Sequence, residues 1–327
     1  MNQGFWKKLN KPFFALAPMA DVTDSAFRQI IIKCGKPDVF WTEFVSCDGL
    51  CSAGRERLMR DLQFSRRERP IVAQLFGAKP ENFYKSAKLI KELGFDGIDI
   101  NMGCPQRNII KQGAGANLIK TPDLAREIIR ETKRGAGSLP ISVKTRIGFE
   151  KNEIEEWLSV LIEEKPAVIT IHGRTKKGMS DVPADWEIIK KGVEMAKGTG
   201  ILIIGNGDVK GIEEGKKRVE ESGVDGIMVG RGIFANPCLF NSKFKILTKK
   251  EKLKILLKHI KLFEKLYGEN KKNIKVFGGR SKNFVLMKKY IKIYASGFDG
   301  AKELRIKLMH ANNAEDLKKI ISKRSES

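Results

Sequence analysis

From residue 13 to residue 230 the chain alternates short apolar runs with longer amphipathic stretches. Eight apolar runs lie at 13–19, 39–44, 71–76, 97–101, 141–145, 168–172, 201–205 and 226–230. Each is five to seven residues long and rich in β-branched, aromatic or leucine side chains. That is the pattern of parallel strands buried on both faces. Between them, 24–34, 80–93, 122–134, 153–164, 186–196 and 211–221 place apolar residues at helical spacing. Lys79-Pro80 and Thr121-Pro122 mark helix starts, and Gly94 and Gly223 stand where helices end. The alternation predicts an α/β fold with a parallel sheet. An open doubly wound sheet would satisfy it, but a count of eight fits a closed (β/α)8 TIM barrel better.

Beyond residue 240 the strand-like runs stop. The stretches 250–267, 279–293, 300–309 and 314–322 read as helices with lysine on their polar faces. The expected organisation is therefore a barrel over 1–240 followed by a small all-α helical domain over 241–327. A length of 327 residues suits a barrel of about 250 residues plus a smaller unit. No uncharged apolar run approaches the roughly 18 residues of a membrane span, so no membrane partner is expected. Lys7-Lys8 ahead of an apolar stretch has the look of a signal peptide, but Pro18 interrupts it and Asp21 and Asp24 follow. Five cysteines are too few for a disulfide framework, which favours a cytoplasmic setting. A monomer is the plain expectation.

Charge adds a functional direction. The formal net charge is +23, and residues 241–327 carry 24 Lys/Arg against 8 Asp/Glu, a net of +16. Concentration of the excess in the last quarter of the chain suggests a polyanionic partner, either nucleic acid or an anionic membrane surface. Solvated helix faces of a lysine-rich protein would look the same.

In a (β/α)8 barrel the chemistry gathers at the C-terminal ends of the strands. Polar residues fall there in this sequence: Gln74, Asn101, Lys144-Thr145-Arg146, His172-Gly173-Arg174, Gly205-Asn206-Gly207-Asp208 and Gly230-Arg231-Gly232. The glycine-rich turns after strands 7 and 8 let backbone N–H groups approach a phosphate, as on a flavin mononucleotide or a sugar phosphate. Lys144 ends an apolar strand and must face a partner or an anionic ligand there. His172 is one of only three histidines, and beside Lys144 a ligand contact is expected of it. Cys104 follows strand 4 between Gly103 and Pro105, a setting that suits a positioned acid/base thiol. No protease-type His partner and no zinc spacing accompany it, and no metal is expected. Cys34, Cys47, Cys51 and Cys238 read as structural. The stretch 105–117 reads either as a lid or as an ordinary surface loop.

These motifs together resemble the tRNA-dihydrouridine synthases. The resemblance runs from Ala17 to about Met309 and rests on segments occurring in order. They are Ala17-Pro18-Met19-Ala20-Asp21-Val22-Thr23-Asp24, Val72-Ala73-Gln74-Leu75-Phe76-Gly77, and Asp99-Ile100-Asn101-Met102-Gly103-Cys104-Pro105 with Gly113-Ala114-Gly115-Ala116. Val143-Lys144-Thr145-Arg146, Ile171-His172-Gly173-Arg174-Thr175, Gly205-Asn206-Gly207-Asp208 and Val229-Gly230-Arg231-Gly232 complete the set. The resemblance implies a flavin-binding barrel followed by a helical tRNA-recognition domain. It implies that Pro18, Met19, Ala20, Gln74, Lys144, His172, Asn206, Gly207, Asp208, Gly230 and Arg231 hold FMN. It further implies that Cys104 is the proton donor, that Asn101 helps seat the target uracil, and that NADPH is the reductant. Two other readings compete. One is an FMN-barrel oxidoreductase acting on a small molecule, similar to dihydroorotate dehydrogenase. The other is a non-catalytic tRNA-binding chaperone. The first leaves the +16 tail unexplained, and the second leaves Cys104, Lys144 and His172 unexplained.

Overall fold

A computed structural model describes residues 2–241, 247–268 and 281–322 of the chain. Eight parallel strands close into a barrel: β1 (Phe13–Leu16), β2 (Val39–Trp41), β3 (Ile71–Phe76), β4 (Gly97–Met102), β5 (Ile141–Arg146), β6 (Val168–His172), β7 (Leu202–Asn206) and β8 (Gly226–Val229). Neighbours in sequence are neighbours in the ring, and β8 closes on β1 through Leu16 opposite Val229. The outer layer includes α1 (Ser25–Cys34), α2 (Pro80–Glu92), α3 (Pro122–Ala136), α4 (Ile154–Glu163), α5 (Trp186–Ala196) and α6 (Ile212–Ser222). Each helix lies within about two residues of the position its periodicity predicts. Asp24 caps α1 through the Phe27 amide at 2.9 Å, which is why that helix starts after the acid.

One strand is shorter than its apolar run. The run at 39–44 yields β2 and then breaks; the chain returns to the sheet only at Val45–Ser46, opposite Leu75 and Phe76. Thr42 is turned to bond inward, its Oγ1 donating to the Glu43 carbonyl and accepting from the Gln74 amide.

The two-residue alternation of a strand sorts side chains to the two faces of the barrel wall. Ile98, Ile100 and Met102 of β4 point outward into the helix layer, as do Ile203 of β7 and Ile227 of β8. Phe13, Val39, Trp41, Val72, Val168, Leu202 and Ile204 point inward and fill the lower barrel. Trp6, 2% exposed, plugs the bottom against Phe13 and Trp41, both with ring centres 5.8 Å away. Above this apolar floor the inward positions become polar, and that change of layer creates the site.

The C-terminal part contains α7 (Lys249–Tyr267), α8 (Met287–Tyr294), α9 (Ala301–Met309) and α10 (Ala314–Ser322). Thr248 and Glu251 form a capping box at the start of α7. The helix expected over 279–293 begins later than its pattern suggests, and residues 279–280 lie outside the described residues. Asn283 caps a 3-10 turn, Phe284–Leu286, that leads into α8. Leu256, Ile260 and Phe263 of α7 share one apolar core with Phe27 and Ile31 of α1. The expected divide at residue 240 borders 242–246, which also lie outside the described residues.

His259 of α7 is fully buried, with Nδ1 3.0 Å from the Tyr294 hydroxyl and rings of Phe27 and Tyr290 beside it. Burial pushes its pKa down to about 3. The unfolded chain takes up that proton near pH 6.5 and the folded chain does not. Stability is therefore lost as pH falls from about 6.5 toward 3, by about 2 kcal/mol at pH 5. Denaturant unfolding of wild type and His259→Phe at pH 7.5 and pH 5 should show the variant losing less stability on acidification. Equal losses would refute the assignment.

Candidate active site

Strand parity places Lys144 of β5, His172 of β6 and Asn206 of β7 on the inner face at the upper rim. Lys144 Nζ donates to Asn206 Oδ1 at 3.1 Å, and Asn206 Nδ2 donates to the Met228 carbonyl at 2.8 Å. Burial, and then the Arg146 charge, pushes the Lys144 ammonium down to about 8. Arg174 Nη1 lies 3.2 Å from His172 Nε2. A guanidinium only donates, so Nε2 accepts and the ring proton sits on Nδ1. Burial, aided by Lys144, Arg146, Arg174 and Arg231, holds His172 well below its ordinary pKa, as a neutral donor.

Arg174 is itself anchored, Nη2 reaching both oxygens of Asp208 at 2.5 and 2.6 Å and Nε reaching the Val182 carbonyl at 2.6 Å. Partial burial opposes the charge on Asp208. The Arg174 guanidinium, the Ala184 amide at 2.8 Å and Arg231 outweigh it and keep the carboxyl below its usual range.

These groups border a cavity of about 560 Å³ at the mouth of the barrel. Its walls include Pro18, Met19, Lys144, His172, Asn206, Gly207, Asp208, Gly230 and Arg231, nine of the residues singled out in the sequence for a cofactor. Gly207 makes the turn after β7 at φ +132°, and a Cβ there would stand 2.5 Å from Ala184 Cβ. A side chain at 207 would force the loop off its path along the cavity wall. Ala17, Arg174, Val209, Lys210, Met228, Gly232 and Ala235 also border the cavity. Arg174 ends the strand-6 motif, but nothing in the sequence tells which of its neighbours it will hold.

Gln74, Asn101 and Cys104 are not among the residues bordering that cavity and are joined by a chain of hydrogen bonds. Asp99, fully buried, accepts from Ser142 Oγ at 2.5 Å and from Gln74 Nε2 at 2.6 Å. Gln74 Oε1 accepts from Asn101 Nδ2 at 2.9 Å. Asn101 Oδ1 accepts the backbone N–H of Gly103 at 3.1 Å and of Cys104 at 2.9 Å. Each end of this chain forces the same polarity. A carboxylate accepts and a backbone amide donates, so both side-chain amides between them have one satisfied orientation. Burial pushes Asp99 up to about 6, with the Ser142 and Gln74 donors and Lys144 opposing. Asp99 was not singled out in the sequence, although it lies two residues before Asn101 on the same strand face.

The turn after β4 is fixed a second time from the loop that follows. The Cys104 carbonyl accepts the Ala116 amide at 3.1 Å, and the Cys104 side chain, 8% exposed, packs on Ile109 and Ala114. Gly115, at φ +62°, comes so near that a Cβ would lie 2.8 Å from the Cys104 oxygen. Arg146 clasps the same turn, Nε donating to the Gly103 carbonyl at 2.7 Å. Burial raises the Cys104 thiol pKa, while the Gln106 amide, Arg146 and Lys144 favour its thiolate. The result is a protonated thiol beside groups that accommodate its conjugate base, the requirement for a general acid. Of the remaining expected site residues, Ala20 lies on the turn just past Met19.

Comparison with known proteins agrees with this geometry. A family model described as dihydrouridine synthase matches residues 15–326. A "Probable tRNA-dihydrouridine synthase" of Staphylococcus aureus (strain COL) is 40% identical over 325 residues, covering 98% of this chain and 95% of that protein. A "Probable tRNA-dihydrouridine synthase 2" of Bacillus subtilis (strain 168) is 41% identical over 327 residues, covering 98% and 96%. Among solved structures, a 2-naphthoyl-CoA reductase complex aligns with TM-score 0.53 at 12% identity, covering 69% of this chain and 49% of that one. Histamine dehydrogenase from Rhizobium sp. 4-9 aligns with TM-score 0.53 at 13% identity, covering 76% and 48%. These two likenesses concern the barrel fold alone. A barrel-mouth cavity, a buried, positioned thiol and full-length similarity agree, and the chain belongs to the dihydrouridine synthase family, the oxidoreductases that reduce uridine in tRNA.

Proposed function

We propose that the cavity holds FMN, that NADPH reduces it, and that Cys104 supplies the proton that completes reduction of a uridine C5–C6 bond in tRNA. The observation that carries this reading is one cationic cavity walled by Lys144, with a protonated, positioned thiol close enough for the charge of that lysine to act on it. The lining suits a flavin mononucleotide. Pro18, Met19 and Met228 offer apolar contact for a flat ring system, and Lys144 and the Nδ1–H of His172 offer donors. Gly207, Gly230 and Arg231 face the region where the glycine loops after β7 and β8 would take a phosphate.

When bound, the flavin supplies hydride to C6 of the pyrimidine. The remaining work belongs to the chain. Addition at C6 leaves negative charge spread over C5 and the neighbouring carbonyl, and C5 must be protonated. Cys104 Sγ gives its proton to C5, and the Gln106 amide and the Arg146 and Lys144 charges stabilise the thiolate that remains. Asn101 and Gly115 hold the thiol at one position, and we read Asn101 as helping to seat the uracil beside that turn. Since uridines in folded tRNA are stacked, the target base must turn out to reach the barrel mouth.

The segment 241–327 is read as the tRNA-binding unit and 1–240 as the catalytic one. Support comes from its charge and from a groove of about 580 Å³ at α8 and α9, bordered by Lys288, Lys292, Lys302, Arg305 and His310. Ile306 and Met309, 53% and 48% exposed, give the groove an apolar strip. Cations for phosphates with apolar contact for bases are what single-stranded RNA asks of a protein. No described helix is long and apolar enough to cross a membrane. We read the enzyme as a cytoplasmic monomer, in keeping with five free cysteines and large exposed apolar side chains that are few among the described residues.

Incubation with FMN, NADPH and unmodified tRNA should produce dihydrouridine, measured by mass spectrometry of nucleosides. Its absence would overturn the reading. The cavity also predicts a pH effect. An anionic ligand favours charged Lys144, so affinity is full below about pH 8 and falls as the lysine loses its proton above it. FMN binding to apoprotein should weaken about ten-fold from pH 7 to pH 9, and Lys144→Met should flatten that slope. An equal slope in both proteins would assign the titration to another group.

A further inference from the structure

A buried charge cluster lies outside the reduction chemistry and joins the C-terminal part of the chain to the cavity wall. Lys282, its side chain 2% exposed, places Nζ 2.5 Å from Glu43 Oε2, 3.0 Å from Asp61 Oδ1 and 3.9 Å from Asp24 Oδ2. The same ammonium lies 5.0 Å from the ring centre of Tyr267. Beside it Arg28 pairs with Glu68 at 2.7 Å, both side chains fully buried. Burying this many charges is costly, so fold stability alone is a weak reason for such a cluster.

Its geometry points to position instead. The second oxygen of Glu43, Oε1, accepts the Asp21 amide at 2.6 Å. Asp21 stands at φ +56°, a region that a residue with a side chain occupies only when its surroundings hold it there. Three more side chains from beyond residue 241 grip the same turn. Lys289 Nζ lies 2.8 Å from Asp21 Oδ2, the Tyr290 hydroxyl donates to the Val22 carbonyl at 2.5 Å, and the Tyr267 hydroxyl accepts the Ser25 amide at 3.1 Å. Two residues before Asp21 stands Met19, a wall of the cavity, together with Pro18.

We propose that Lys282 is a positioning residue: through Glu43 it fixes the Asp21 turn, and with it the Pro18 and Met19 wall, so that the C-terminal helical segment sets the affinity of the cofactor cavity. This rests on the reading of that cavity as the flavin site. The cluster thereby has a role besides RNA contact, since it links the segment that carries the basic groove to the loop that borders the reacting groups.

The test uses full-length apoprotein and two readouts, FMN affinity by quenching of flavin fluorescence and amide hydrogen exchange across residues 17–25. Lys282→Met should weaken FMN binding about ten-fold and speed exchange in that segment, and Lys282→Arg should recover most of both. Wild-type affinity and exchange in a folded Lys282→Met protein would overturn the proposal. So would a lowered melting temperature with neither readout changed, the mark of a purely structural role. If Lys282→Met does not fold, the double variant Lys289→Ala/Tyr290→Phe leaves the buried cluster intact and carries the test. It should show about three-fold weaker FMN binding and faster exchange at 21–22, and wild-type values there would overturn the proposal. If wild type itself fails to bind FMN, the flavin reading fails, and exchange across 17–25 still decides for or against the Lys282 linkage.

Discussion

Cys104→Ala is expected to lower the rate of dihydrouridine formation by about 10²- to 10⁴-fold while FMN binding and NADPH-driven flavin reduction stay near wild type. The separation follows from where the thiol stands. It is not among the residues bordering the cavity; it projects from the turn after β4, held by Asn101 Oδ1 from below and by the Gly115 segment from the side. Removing one sulfur therefore leaves Lys144, His172 and the glycine loops undisturbed. Serine in its place is expected to be almost as poor, because a hydroxyl is a far weaker acid than a thiol. Lys144 is the rival donor, since its pKa of about 8 permits proton transfer near neutrality. Single-turnover assays of pre-reduced enzyme distinguish the two. Loss of product with Cys104→Ala identifies the thiol as the acid, and an unchanged rate would transfer the role to Lys144.

The second large effect is expected on tRNA affinity. Substituting alanine for Lys288, Lys292, Lys302 and Arg305 together removes four cations from the groove at α8 and α9. If each meets a phosphate, the slope of log affinity against log salt should fall by about 3 to 4, and binding at 0.1 M salt should weaken about 100-fold. Turnover at saturating tRNA should be preserved, because none of the four borders the cavity. Filter binding across a salt series provides the check. An unchanged slope would mean that the polyanion lies elsewhere and that these lysines only solvate the helix faces.

The strands were legible because each is a short run of buried residues flanked by turn signals, and that pattern reports burial on both faces. The rim residues were legible for a related reason. Lys144, His172 and Asn206 are polar interruptions at the ends of apolar runs, and strand ends in a barrel converge on one mouth. Pairings across the barrel were not legible. Asp99 reads as a polar residue inside a strand, and nothing local says that Gln74 and Asn101 will relay its polarity to the Cys104 amide. Arg174 stood in a recognised motif without its partner, since Asp208 reaches it only after β7 crosses back beside β6. The break after β2 was missed because Phe44 resumes the apolar pattern beyond Thr42 and Glu43, and the interruption at Thr42 depends on a bond to β3. The Lys282 cluster was the least visible, because it joins residues more than 200 positions apart, and periodicity carries no information about such contacts.

The most direct test of the central claim, that one barrel mouth brings a flavin and an acid thiol to the same uridine, is a single turnover without NADPH. Protein loaded with one FMN per chain is reduced chemically, mixed with unmodified tRNA, and the dihydrouridine formed is counted against flavin reoxidised. The account predicts about one dihydrouridine per reduced flavin in wild type, and none in a Gly207→Val protein whose cavity loop is displaced. Flavin reoxidation without dihydrouridine, or equal product from Gly207→Val, would contradict it.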